Sequence, residues 1–575
     1  MFSKISIEKI MKNAQDRYIN KESVEDFYKF LLTNIISEMT EFEILSGQGN
    51  PENVLKKCGP ILDQYKFYDM LVPLDEYDIF SQFKDKIEEN TLYKLGVKKI
   101  ILKKEEAYDL LKNLEEIYTQ EFYKEILSQD REECLQTFYI FAGILSNINF
   151  NHRYWSNSGH IDRNKMNLIS ELLARNYKED KYGFDSFFGE VKKTIELSIH
   201  YILNTNEEFK NNKQLNFPKI CVYASLLVTV REYRLMLFEI YTGNGYLEVD
   251  GRLFLSKNKV DEINSLMRKN VEVIYPTNRE ESEQIYDLFY EEYGFSPKFL
   301  ENYLINYPEK ILDTSTIINF IEDKLLIMDI KNKTGQSEKD IKNMLEELSL
   351  SPVSNQKYYE ESFNSINRLF RTPLIKVENY YILSNWLLLE SVQYLKYRIL
   401  KKQLSFDVSK EISNAITDKF DEFELRTLNG LIRKNMLIGD INFSLNKNPV
   451  CKHLFENKKN LPQEIDFFVI KDKNLYIMEM KNNDLRRDLK GIKKDIENAK
   501  RGKSSYLAKL INLKNTIFQN KNIMEKTFHS EFNNIHLFLA FNNPHYMQGY
   551  DFESGVTFCS VDEFTMYVNK YLCST

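Results

Sequence analysis

Residues 464–481, EIDFFVIKDKNLYIMEMK, hold two apolar runs around a polar centre, and how they fold decides the reading of the C-terminal region. The centre, KDKN at 471–474, is the only turn-forming stretch between them. Whether its loop holds two residues or four, the pairing is symmetric about the Asp472–Lys473 bond. That register predicts Asp466 opposite Glu479 and Glu464 opposite Lys481, with Glu479 and Lys481 on one face because they are two apart. Phe468, Ile470, Leu475 and Ile477 complete that face, and Ile465, Phe467, Val469, Tyr476, Met478 and Met480 form the other. Strands apolar on both faces belong inside a covered sheet. There a carboxylate is costly unless it is paired or bound to a cation, and these charges gather at one end.

Two adjacent carboxylates suit a hard divalent cation such as Mg²⁺, which takes oxygen ligands and keeps several waters. A metal-bound water is a better nucleophile, and the ion also neutralises charge on a phosphate oxygen. The ammonium of Lys481 can orient or help deprotonate that water, or stabilise a pentacovalent phosphorane. These are the requirements of phosphodiester hydrolysis.

The flanking pattern extends the sheet. KFDEFELRTLNGLIRKN (419–435) reads as helix and MLIGDINFSL (436–445) as strand. A long helix follows from about 485, then the strands IHLFLAF (535–541) and VTFCS (556–560) and a closing helix, DEFTMYVNKYL. The order from 405 is αβββαββα, which predicts a central sheet covered by helices.

Asp466 followed by Glu479-Met480-Lys481 on the next strand resembles the PD-(D/E)xK nuclease superfamily, over roughly residues 405–575. Ile465 stands before the aspartate where that pattern names proline. The resemblance implies a restriction-endonuclease-like α/β domain with a central mixed sheet, and Mg²⁺-dependent cleavage for which Mn²⁺ can substitute. It implies DNA as substrate, a role in bacterial restriction or anti-phage defence, and a homodimer or a defence-system partner protein. Asp466 and Glu479 would be the metal ligands and Lys481 the residue assisting the attacking water. Many members add a glutamate from the first helix. Here Phe420, Phe423, Thr427 and Leu431 read as its inward side, which favours Glu424 over Glu422 as catalytic and metal-binding residue.

Next to the motif, Leu485, Leu489, Ile492, Ile496, Ala499, Tyr506 and Leu510 line one side of the expected long helix. Arg486, Lys490, Lys493, Lys494, Lys500 and Arg501 gather on its flank, interrupted by Glu497, as a candidate nucleic-acid-binding stripe.

The rest of the chain reads as a mostly α-helical region. A chain of 575 residues is too long for one core. The expected divisions are 1–240, all helical; 241–404, a hairpin at YLEVDGRLFL (246–255) followed by helices; and 405–575, the nuclease-like domain. In the middle region NKTGQSEKDIKNMLEEL places Ser337 as an N-cap, which makes a possible helix-turn-helix. The net charge of −7 is uneven: residues 401–575 hold 27 Lys/Arg against 22 Asp/Glu, and residues 1–400 hold 51 against 63. Six scattered cysteines without metal-ligand spacing, and the lack of a signal-like or membrane-spanning stretch, point to reduced thiols and a cytoplasmic location. No GxxxxGK[ST] loop, GxSxG elbow or HExxH motif occurs. The alternative to a nuclease is a non-catalytic nucleic-acid-binding or assembly protein built on the helical scaffold.

Overall fold

The computed structural model describes residues 5–14, 79–157, 184–210, 217–235, 237, 246–255, 280–306, 318–351, 368–416, 423–481, 494, 497–499, 502, 505–541 and 555–572. Together they form a mixed helix and sheet architecture with three sheets.

The first core is built by the helices Lys104–Leu127, Arg131–Asn157, Phe184–Asn204 and Phe217–Leu235. It also contains strands. β1 (Ile100–Leu102) pairs antiparallel with β2 (Leu247–Val249), which pairs with β3 (Leu253–Leu255). The expected hairpin at 246–255 is therefore present, turning at Gly251 with φ of +71°. The strand β1 is a correction to an all-helical reading of 1–240. It is three residues long and its partner lies about 150 positions away, so no local pattern announces it.

A second sheet, with strand order β4 (Asn319–Glu322), β6 (Tyr380–Leu383), β5 (Ile375–Val377), interrupts what reads from sequence as continuous helix. Its faces serve different cores. Ile375 and Ile382 join the first core, whereas Ile321, Tyr381 and Leu383 join a second one with the helices Glu280–Tyr293, Pro297–Asn306, Asp323–Thr334, Glu338–Glu347 and Asn385–Leu400. The first core thus crosses residue 240, and the Tyr139 hydroxyl donates to the Pro373 carbonyl at 2.8 Å. Ser337 caps its helix as expected, its hydroxyl accepting from Asp340 N. Leu404, Ile412 and Ile416 also pack in the second core, so the C-terminal core starts at the helix Phe423–Lys434 rather than at 405.

That last core surrounds a five-stranded mixed sheet in the order β11 (Val556–Ser560), β10 (Asn534–Phe541), β9 (Asn474–Lys481), β8 (Glu464–Lys471), β7 (Ile438–Ser444). β7, β8 and β9 are antiparallel, and β10 is parallel to both β9 and β11. Phe468, Ile470, Leu475 and Ile477 pack against the helices Tyr506–Gln519 and Lys521–Phe528. Phe467, Val469 and Met478 pack against the helix Phe423–Lys434 and the C-terminal turns. Gly439 permits the close contact of β7 with β8, since a Cβ there would stand 2.4 Å from the Phe468 carbonyl oxygen. Among the described residues no helix is long and apolar enough to cross a membrane.

Candidate active site

The turn between β8 and β9 holds two residues, Asp472 and Lys473, with φ of +50° and +59°, as a type I′ hairpin requires. The register follows from it: Lys471 faces Asn474, Val469 faces Tyr476, and Phe467 faces Met478. There the ladder stops.

Beyond that pair the two strands separate. β8 stays with β7, Ile465 facing Phe443 and Glu464 facing Ser444. β9 stays with β10, Glu479 facing Leu539 and Lys481 facing Phe541. The fork coincides with a break in alternation: Ile465 packs with Phe468 and Ile470 instead of with Phe467. The expected faces hold from 467 to 478 and fail at 465. On β7 the residue across from this point, Asn442, has a positive φ of +49°, and Phe443 moves to the same side as Ile465. Glu464 is consequently exposed beside Ser444, not opposite Lys481.

Asp466 sits at the crotch of the fork. Its Oδ2 accepts a hydrogen bond from Met480 N at 2.6 Å. In a continued ladder that N–H, in a hydrogen-bonded pair position, would donate to the carbonyl of Ile465. The carboxylate thus replaces a strand partner and is fixed beside Glu479 and Lys481. Lys481 Nζ donates to Glu479 Oε1 at 2.5 Å, the two side chains sharing a face of β9.

The electrostatics follow from this crowding. Burial, then the charge of Glu479, push the Asp466 carboxyl up to about 7 against the pull of Lys481 and the Met480 N–H. For Lys481 burial acts downward, but the carboxylates of Glu479 and Asp466 outweigh it and hold the ammonium above its usual range.

A residue that sequence reasoning assigned only to packing joins the group. Lys481 Nζ lies 5.0 Å from the centre of the Tyr506 ring, a cation–π contact. Tyr506 opens a new helix, with Ser505 as N-cap accepting from Ala508 N, after Gly502 at φ of +88°. The single helix expected from 485 past 510 therefore does not run unbroken, since Gly502 and Ser505 are both outside helix. Gly502 and Ser505 are the signal for that break.

The other expected site residues fare differently. Glu424 lies in the helix Phe423–Lys434, but its side chain is outside the described residues. The inward side of that helix is Leu425, Leu428 and Ile432, with Leu431 packed against them as expected; Thr427 is exposed, which corrects its place in the expected strip, and Phe420 and the Phe423 side chain lie outside the described residues. Of the basic stripe, Lys494 is exposed; Arg486, Lys490, Lys493, Lys500 and Arg501 lie outside the described residues. Among the described residues no group of three or more His, Cys, Asp or Glu side chains stands together as a metal cage. The chain matches no protein-family model, and comparisons with curated proteins and with solved structures find no significant match.

Proposed function

We propose that the chain is a metal-dependent nuclease of the PD-(D/E)xK kind, with a restriction-endonuclease-like core, hydrolysing phosphodiester bonds in DNA. The observation that carries this reading is the fork, where Asp466 from β8 and Glu479 and Lys481 from β9 meet at the carboxyl end of a strand with a parallel neighbour. Open α/β sheets bind ligands at such ends.

The donor set fits a hard divalent cation. Two carboxylates, one of them driven up by burial and by the other's charge, are in the situation that a bound cation relieves. Asp466 and Glu479 would hold Mg²⁺ or Mn²⁺, and Glu424 would be the third ligand. When bound, the ion supplies an activated water and neutralises charge on a phosphate oxygen. The chain's own groups do the rest. The Met480 N–H fixes the Asp466 carboxylate, and the Tyr506 ring and Glu479 hold the Lys481 ammonium where it can orient a water or meet the charge building on phosphate.

The test is incubation of the purified protein with plasmid, linear duplex and single-stranded DNA and with RNA, with and without Mg²⁺ or Mn²⁺. Cleavage that needs the metal and disappears in Glu479→Ala and Lys481→Ala is the expected result. Equal cleavage by wild type and both variants would refute the site.

A further inference from the structure

We propose that the segment between β7 and β8, residues 445–463, is a phosphate-binding platform on which the backbone of the nucleic-acid substrate lies as it reaches the fork. This deepens the nuclease reading and rests on it.

β7 ends at Ser444 opposite Glu464, two residues from Asp466, so the connecting segment leaves and re-enters the sheet at the end that holds the carboxylates. Its charge is the second observation. LNKNPVCKHLFENKKNLPQ carries Lys447, Lys452, Lys458 and Lys459 against one acid, Glu456. All four lysines and His453 are exposed.

The segment is also anchored to the core. Cys451, Leu454, Phe455 and Leu461 are buried in the core under β8. The Gln463 side-chain amide donates to the carbonyls of Phe455, Lys458 and Leu461 at 3.1, 3.1 and 3.4 Å, and the Leu445 N–H donates to the Gln463 carbonyl at 2.9 Å. Asn512, from the helix that begins at Tyr506, donates to the Asn460 carbonyl at 3.3 Å. The lysines are thus presented from a backbone tied on one side to the residue before Glu464 and on the other to the helix that carries Tyr506. Exposed lysines held at fixed points beside a hydrolytic centre suit a phosphodiester backbone, whose repeating charge gives affinity without sequence preference.

The experiment separates this proposal from the catalytic one by reading binding in EDTA, where no cleavage occurs. Full-length protein and the triple variant Lys447→Glu, Lys458→Glu, Lys459→Glu are titrated against fluorescein-labelled 30-base-pair DNA and, in a second arm, labelled single-stranded RNA, over a range of salt concentrations. A melting curve for each protein confirms that these surface changes leave the fold intact. The expected result is affinity weakened about tenfold or more at low salt, with the slope of log affinity against log salt reduced by about 0.9 for each duplex phosphate that the variant no longer neutralises. Affinity within twofold of wild type with an unchanged salt slope overturns the platform, as does a wild type that binds neither polyanion. Glu479→Gln, run in parallel, tests the other reading: if it keeps both binding and metal-dependent cleavage, the catalytic assignment fails while the platform stands.

Discussion

Asp466 and Met480 are joined by a hydrogen bond in which a side-chain carboxylate takes the place of a strand carbonyl, its Oδ2 2.6 Å from the Met480 amide nitrogen. This one contact both closes the fork between β8 and β9 and fixes an acid beside Glu479. The sheet therefore gives up a ladder bond where the charges converge, and a polar side chain meets the amide left over.

That carboxylate has two roles, which substitutions separate. Asp466→Asn keeps an acceptor for Met480 N–H and removes a charge that burial and Glu479 both oppose. Its urea midpoint in EDTA should equal or exceed that of wild type, while any rise in melting temperature on adding Mg²⁺ should be lost. Asp466→Ala strands the amide and should cost about 1–3 kcal/mol. Equal midpoints for Asn and Ala would remove the structural role.

Tyr506 should matter through its ring and not through its hydroxyl. The ammonium of Lys481 stands over that ring, an arrangement worth about 0.5–2 kcal/mol. Tyr506→Phe should cleave DNA at close to the wild-type rate, and Tyr506→Ala should lose about three- to thirtyfold in kcat with its fold unchanged. A Phe variant as slow as the Ala variant would shift the role to the phenol.

The hairpin is legible in the sequence because a short polar turn between equal apolar runs leaves only one symmetric register, and Phe467 does face Met478. The fork is not legible. It depends on a positive φ at Asn442, on a strand that pairs with β8 alone, and on β10 drawing β9 away. The inward side of the helix 423–434 is ambiguous because two apolar strips compete in FDEFELRTLNGLI, and only the sheet beneath it selects Leu425, Leu428 and Ile432. The lysines of 445–463 are dense in the sequence but follow no helical period, and what the sequence does not show is that their segment leaves and re-enters the sheet at the end that holds Asp466. β1, β4, β5 and β6 are each three or four residues long, and β1 and β4 pair with distant stretches, so local pattern holds too little signal for them.

At the edge of the first sheet, Glu88 makes stability depend on pH. Its Oε1 accepts from Leu253 N at 3.4 Å, and burial, only partly countered by Lys84, pushes its carboxyl up to about 7. A carboxyl whose folded value lies above its unfolded one binds more protons when folded, so stability should fall as pH rises from about 4.5 to 7 and level off above. The loss is on the order of 3 kcal/mol. Comparing urea midpoints of wild type and Glu88→Gln across that window checks it: the variant should lose most of this slope. A slope the same in both proteins would assign the effect to other groups.

The middle core contains a buried ion pair whose removal should show strong coupling. Arg398 and Glu347 are bonded to each other, and only 2% and 3% of each residue is exposed. Arg398 Nε also donates to the Gln403 carbonyl at 3.1 Å, and Glu347 accepts from the Ser405 N–H at 3.2 Å. The pair therefore ties the helix Glu338–Glu347 to the end of Asn385–Leu400 and to the chain that follows it. Glu347→Gln leaves a guanidinium buried without its countercharge and should cost about 3–5 kcal/mol, as should Arg398→Met for the stranded carboxylate. The double variant removes both charges, and the side-chain amide introduced in place of Glu347 still accepts from Ser405, so it should lose clearly less than the two single losses combined. Urea unfolding of the four proteins gives the cycle directly. Single losses that add to within about 0.5 kcal/mol of the double would mean that the two charges stabilise the core independently, and that the pair is incidental.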